Sequence, residues 1–443
     1  MNNKQRNLLI DNGRIIDPSQ GIDHVGRLLI SNGEIIWIGK AEATPPLPVY
    51  DTLHAQDLIV CPGFIDLHCH LRQPGFEEKE TIATGTQAAA RGGFTTVCCM
   101  PNTNPPLDNP DTIYYVKSTA TAEGVVRVLP IGCISKGRKG RQLAQLEDLA
   151  SSGVIGFSDD GSPVKGSRLM QQALECSYLL NLPIIDHCED KTLTRGGVMN
   201  EGELATKLEL VGIPAAAEEK MIARDLRISK LTGGWLHIAH VSTAGSVNII
   251  RHAKQDGIRV TAEVTPHHLT LTENALIGYN TNAKVNPPLR TKKDTSELIQ
   301  GLKDNTIDII ATDHAPHTEM DKCCEIYAAQ FGISVFETAF GSLMSLVHDN
   351  QIDLTTLITK LTTEPANFIG NKYGKLGTLS KGAPADITIF NPNIEWTVDT
   401  NDFTSKGKNT PLNGLTLKGK IMATVSRGEI IYKDDRVKFE TRG

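Results

Sequence analysis

No C-x-x-C pair occurs among the nine cysteines of this 443-residue chain, and their odd number includes the vicinal pairs Cys98-Cys99 and Cys323-Cys324. That argues against a disulfide framework and against a thiolate zinc site, and leaves reduced residues of the core as the reading. Blocks of like charge are missing too: the net charge of -6 is spread along the chain without an acidic tail or a basic run, so neither nucleic acid nor an anionic membrane is expected as a partner. No apolar run approaches the ~20 residues of a membrane span. The start, Met1 to Asn7, is polar and precedes only a short apolar segment; no signal peptide is read there, and the expected location is cytoplasmic. The nucleophile-elbow pattern G-x-S-x-G is absent, which removes a Ser-His-Asp triad of that type.

What is present is an ordinary globular composition, 40% hydrophobic and 22% charged, with room for a large core and an accessory unit. Both ends read as short strands and turns. Leu8-Leu9-Ile10, a turn at Asp11-Asn12-Gly13, and Arg14-Ile15-Ile16-Asp17 open the chain, and a second turn at Ser31-Asn32-Gly33 follows. Ala385 to Phe390 and Thr424 to Tyr432 are similar. Neither end buries enough apolar surface alone, so 1–58 and 376–443 are expected to pair into one small β-sandwich domain. Between them, over 59–375, strand-like runs ending near His70, Met100, Ile134, Ser158, His187, His240, Val264 and Asp313 alternate with helical stretches such as Glu80 to Arg91, Ser167 to Leu180 and Ala216 to Thr232. Eight β/α units fit the roughly 250 residues of a TIM barrel, a (β/α)8 fold. A doubly wound open sheet is the competing architecture, but it would spread its strand ends along a line instead of gathering them at one mouth.

Those strand ends carry the chemistry. His68 and His70, in Asp66-Leu67-His68-Cys69-His70, stand two apart on a strand and so project from one side as a pair of imidazoles, the commonest metal ligand. One such pair is a weak signal. Asp159-Asp160, His187, His240 and Asp313 stand at further strand ends, however, and packing does not explain so many. His237 is expected to face away from His240 as a structural histidine. His267 and His268 read equally well as mouth residues or as hydrogen-bonders, and His314 should orient its loop. His24, His54, His252 and His348 receive no role. The set suits metal-assisted amide hydrolysis, in which zinc lowers the pKa of bound water toward ~7 and a metal-bound hydroxide attacks. Asp313 is the candidate to accept the water proton and return it to the leaving nitrogen. Cys188 beside His187 is disfavoured as a nucleophile, because adjacent strand residues face apart.

Pro62-Gly63-Phe64-Ile65-Asp66-Leu67-His68-Cys69-His70 and Gly382-Ala383-Pro384-Ala385-Asp386 resemble the cyclic amidohydrolases, metal enzymes with a TIM barrel and a β-sandwich made from both chain ends. His70-Leu71-Arg72-Gln73-Pro74-Gly75, Met100-Pro101-Asn102-Thr103, Ser158-Asp159-Asp160-Gly161, Asn286-Pro287-Pro288-Leu289-Arg290 and Ala311 to His317 are more narrowly similar to bacterial class I dihydroorotases, and the likeness runs nearly end to end. It implies a first zinc on His68, His70 and Asp313, a second on His187 and His240, and Asp160 in the bridging or second-metal position, where many relatives carry a bridging carboxylated lysine. The second zinc site would be the weaker or partly filled one. The implied substrate is N-carbamoyl-L-aspartate, cyclised reversibly to dihydroorotate in pyrimidine synthesis. Arg72, Asn102 and His317 would grip its carboxylate, Asn286 would add a contact, and the backbone of Phe331 and Gly332 would meet the ring. A bidentate guanidinium contact with a carboxylate suits Arg72 on physical grounds as well. Gln73 replaces the motif's usual Glu, and Glu319 to Gln330 matches the family poorly. A homodimer and a complex with aspartate transcarbamoylase are partner expectations. Dihydropyrimidinase, hydantoinase or allantoinase is the alternative activity, and a non-catalytic homologue stabilising aspartate transcarbamoylase is the alternative of another class.

Overall fold

Two sets of short parallel strands surround the centre of the molecule. In the computed structural model, which describes residues 7–49 and 51–441, Phe64–Cys69, Phe94–Cys99 and Arg127–Pro130 form a three-stranded parallel sheet. Ile184–Asp186, Leu236–Ile238, Val260–Val264 and Ile309–Ile310 form a four-stranded one. Phe157 joins them, bridging Gly132 on one side and Ile184 on the other, and Cys69 closes the ring by pairing with His314. The result is an eight-position barrel. Its fourth member, expected as a strand over 154–157, is reduced to that one bridge, and the third ends at Pro130, short of Ile134. Prolines explain both. Pro130 and Pro183 flank the fourth position and accept from Ile155 and Phe157, but they have no N–H to give back to a longer ladder.

Alternation along the strands builds two cores. Ile65, Leu67, Cys98, Leu129, Ile155, Ile185 and Ile309 pack inside the ring, while Phe64, Phe94, Val97, Phe157, Ile184, Leu236 and Val264 face the surrounding helices. Helices Ser167–Leu180 and Ala216–Thr232 occupy their expected spans. The earlier one runs Ile82–Arg91, because Thr81 caps it in a reciprocal box with Thr84.

Both chain ends build one nine-stranded sheet. Ile59–Pro62 joins the halves, parallel to Leu8–Asp17 and antiparallel to Ile387–Thr397, around a core that includes Ile10, Leu28, Leu53, Val60, Ile387 and Val425. The turn expected at Asp11-Asn12-Gly13 is instead a bulge inside the single strand Leu8–Asp17. Asn12, at φ 59, absorbs the extra residue without reversing the chain. Asn32 and Gly33, both at positive φ, make the true hairpin turn. The chain between Ile387–Thr397 and Thr416–Ser426 leaves the sheet and lies against the barrel mouth, where Asn409 bonds to Ala315 and His317. No helix among the described residues is long and apolar enough to cross a membrane.

Candidate active site

Simple alternation from Ile65 and Leu67 would turn His68 and His70 outward, yet both reach the barrel mouth. A register shift between Asp66 and Cys69 re-aims the chain there, and the two imidazoles stand 5.4 Å apart, centre to centre. His70 Nε2 lies 3.0 Å from Asp313 Oδ1, and His68 Nε2 lies 3.5 Å from the same oxygen. Asp160 sits between the groups, its carboxylate 3.6 Å from His68, His70 and His240 and 3.4 Å from His187. His187 Nδ1 and His240 Nε2 approach to 2.9 Å. All six side chains are buried.

This arrangement fits a bound cation. Two triads, His68-His70-Asp313 and His68-Asp160-His240, bring donor atoms within 4.8 Å of one another, and His68 Nε2 is buried without a hydrogen-bond partner. The outward nitrogens of three rings are occupied: His68 Nδ1 bonds Glu263 at 2.7 Å, His70 Nδ1 bonds Asn102 Oδ1 at 2.9 Å, and His187 Nε2 bonds Glu189 at 3.0 Å. An acceptor on the outer nitrogen holds the proton there and leaves the inner one bare for a metal. Burial opposes charge throughout, but the imidazoles outweigh it. Beside His68 and His70 the Asp313 carboxyl is held well below the usual carboxylate range. Hydrogen bonds to Asp160 and Glu189 likewise overcome burial and push His187 up to about 9. His240 and Asp313 occupy the left-handed region at φ 34 and 47, as does Arg72 at φ 63. Each such residue costs on the order of 1–3 kcal/mol, and such outliers cluster at functional sites.

The site opens into a cavity of about 600 Å³ lined by Arg72, Asn102, Asn286, His317, Phe331 and Gly332 as well as every member of the cluster but His68. Arg72 Nε donates to the Pro316 carbonyl at 3.1 Å, and its Nη2 stands 3.3 Å from His317 Nε2. Burial and the cations Arg72 and Lys79 push His317 down to about 2, so its ring is neutral at pH 7. Asn102 spends its oxygen on His70, which leaves its amide hydrogens for a ligand. Asn286, itself in the cavity wall, donates through Nδ2 to Glu189 at 3.1 Å. Opposite them, Lys284 donates to the carbonyls of Ile326 and Ala329 at 2.7 and 2.6 Å, and Lys322 donates to those of Gln330 and Gly332 at 2.7 and 3.0 Å. Two buried ammonium groups thereby tie down the stretch from Glu319 to Gln330, leaving Cys323 and Cys324 exposed.

The remaining histidines separate cleanly. His237 lies on the barrel's inner side beneath the cluster, bonded to Thr261 at 2.8 Å and Glu263 at 3.2 Å. It does not point away from His240, because the left-handed turn at His240 breaks the alternation. His268 bonds Thr265 and Pro287, while both ring nitrogens of buried His267 lack partners. His314 accepts from the Val335 N–H and stacks on Phe336. The Cys188 thiol donates to Asp186 at 3.1 Å, and burial pushes its pKa well up, which suits no nucleophile. The sequence reading passed over Glu263, although a lone carboxylate inside the apolar strand Val260–Val264 was the signal. Glu189, two residues after His187, carries no ligand pattern of its own in the sequence.

Comparison with known proteins agrees with this geometry. The family model described as Dihydro-orotase-like matches residues 57–246, and the Amidohydrolase family model matches 284–432. A dihydroorotase of Caldanaerobacter subterraneus subsp. tengcongensis is 50% identical over 98% of this chain and 99% of its own. One of Syntrophus aciditrophicus is 47% identical over 97% and 100%. Among solved structures, an L-hydantoinase from Arthrobacter aurescens superposes with a TM-score of 0.87 at 24% identity, covering 98% of each chain. A dihydropyrimidinase from Brevibacillus agri gives 0.83 at 22%, covering 98% of this chain and 96% of its own. At such identities the structural likeness speaks for the barrel and its sheet domain alone, whereas the sequence likeness is that of a family. This chain belongs to the dihydroorotase family and is a metal-dependent amidohydrolase, a hydrolase acting on a cyclic amide.

Proposed function

We propose that this chain catalyses the zinc-dependent, reversible cyclisation of N-carbamoyl-L-aspartate to (S)-dihydroorotate and water, a step of de novo UMP synthesis. One observation carries the substrate choice. Arg72 faces the cavity beside the histidine and aspartate cluster, and among the described residues no carboxylate lies within ion-pair distance of it. An enclosed guanidinium with no carboxylate in contact is a site for an anion. Hydantoin and dihydrouracil bring no carboxylate to it, which weighs against the hydantoinase and dihydropyrimidinase alternative. A complete ligand set weighs against a non-catalytic homologue.

His68, His70 and Asp313 would hold one zinc and His187 and His240 a second, with Asp160 facing both. Bound there, zinc lowers the pKa of a coordinated water and polarises the ring carbonyl. In the hydrolytic direction Asp313, ionised at neutral pH, accepts the proton of the attacking water and passes it to the ring nitrogen as the carbon–nitrogen bond breaks. In cyclisation the same proton travels back. Arg72 holds the substrate carboxylate, the free amide hydrogens of Asn102 and the neutral ring of His317 border it, and Gly332 lets the ring approach the backbone. Asn286 steadies Glu189 against His187. We assign this chemistry to 59–375, apart from the strand Ile59–Pro62, and the sheet to 1–58 and 376–443 with that strand between them. Nine unpaired cysteines support a reducing, cytoplasmic setting.

The test is direct. Purified, zinc-loaded protein should hydrolyse dihydroorotate; turnover of hydantoin or dihydrouracil without it would overturn the assignment. Glu263→Gln should weaken zinc binding about 10–100-fold, as loss of an outer carboxylate on a ligating histidine commonly does. Chelator competition reads this, and an unchanged affinity would remove Glu263 from the metal's support.

A further inference from the structure

We propose that Asn409 is a positioning residue for the carboxylate-binding edge of the cavity, an inference that rests on the dihydroorotase reading above. Asn409 lies on the excursion between strands Ile387–Thr397 and Thr416–Ser426, which are neighbours in the sheet. Two carboxylates clamp this excursion to the barrel. Glu337 accepts from the Thr404 N–H at 2.8 Å, and Glu80 accepts from the Lys406 N–H at 3.2 Å and from the Ser405 hydroxyl. Gly407 permits the close approach, since a β-carbon there would stand 2.5 Å from Pro316 Cβ.

Asn409 is 4% exposed, and its side chain is fully used. Nδ2 donates to the carbonyls of Ala315 and Gly332, both at 3.0 Å, while Oδ1 accepts from the His317 N–H at 2.9 Å and the Ser334 hydroxyl at 3.0 Å. An amide offers two donor hydrogens and two acceptor lone pairs, so none is left over. The partners also set its orientation, because the flipped amide would face oxygen to two carbonyls and NH2 to an N–H. All four partners belong to the two chain segments that pair at His314 and Ile333. Ala315, His317 and Gly332 from those segments line the cavity. Gly332 sits so close to His317 that a β-carbon on it would be 3.0 Å from Nε2. Any shift of Gly332 is therefore felt by the imidazole that faces Arg72. Asn409 fixes the spacing of these two walls, and none of its bonds reaches the histidine and aspartate cluster.

Aspartate has the same shape but no donor, so Asn409→Asp sets a carboxylate against two carbonyls while keeping both acceptor contacts. For zinc-loaded N409D we expect the KM for dihydroorotate to rise about ten-fold, with kcat within about three-fold of wild type, because the grip is lost equally from substrate and transition state. Zinc per chain should stay unchanged. Should N409D not fold, N409S, which brings no charge, should raise KM in the same direction. An unmoved KM in an active, folded variant would overturn the inference alone, as would kcat and zinc content falling together, the mark of a general structural role. A wild-type chain that fails to hydrolyse dihydroorotate would overturn the functional reading and this inference with it.

Discussion

Asp313→Asn is expected to lower kcat for dihydroorotate hydrolysis by about 10²–10⁴-fold, the range that positioned acid–base catalysis contributes. The substitution is nearly isosteric, and asparagine tolerates the left-handed backbone that Asp313 occupies at φ 47. The local chain is held independently of the carboxylate: Thr312 N–H donates to Asp66 at 2.6 Å, and His314 N–H donates to the Thr312 hydroxyl at 3.0 Å. Loss of turnover would therefore not report loss of fold. What goes is the negative charge 3.0 Å from His70 Nε2, and with it the carboxylate proposed above to carry a proton between water and ring nitrogen. An amide neither accepts that proton nor returns it. Zinc content measured beside kcat separates the two roles, since full zinc with lost turnover isolates proton transfer and lost zinc shows the ligand role. A D313N enzyme that keeps wild-type turnover would remove Asp313 from the mechanism.

Legibility in the sequence followed the range of the interaction. Strand ends were visible because an apolar run that stops at a histidine or aspartate is a local pattern, and a barrel turns that one-dimensional spacing into convergence; His68, His187, His240 and Asp313 were read in this way. The paired chain ends were visible because each shows strand periodicity with too little apolar surface to stand alone. What escaped depends on partners distant along the chain. Glu263 looks like one charge in a strand until His68 and His237 are seen on its two oxygens at 2.7 and 3.2 Å. Lys284 and Lys322 read as ordinary charges, yet both are buried, and their partners are carbonyls of the segment that matched the family least. Asn409 lies in a loop after the sheet's strand, and nothing local points toward His317. The fourth barrel position shortened because prolines on its neighbours removed donors, which a reading of the Val154–Phe157 run alone does not register.

Stripping the metal should abolish dihydroorotate turnover, and added zinc should restore it. Without a cation His68 Nε2 and His240 Nδ1 are buried without a hydrogen-bond partner, and the only bond between the rings is the one His187 Nδ1 and His240 Nε2 share at 2.9 Å. The fold should survive, because the cores inside and outside the barrel are apolar and separate from the cluster. Its stability should nonetheless fall, since a ligand at a thousand times its Kd stabilises by about 4 kcal/mol. A ring nitrogen must shed its proton to ligate, so protons and zinc compete for the same lone pairs. Zinc binding therefore releases protons, and affinity falls as pH drops from about 9, where the His187 ring takes up its proton. Calorimetric titration of the stripped chain in buffers of different ionisation enthalpy reads the proton count, and a melting curve with and without zinc reads the stability. A chain freed of metal that still turned over dihydroorotate at the loaded rate would show that the cluster of His68, His70, His187, His240, Asp160 and Asp313 works without a metal.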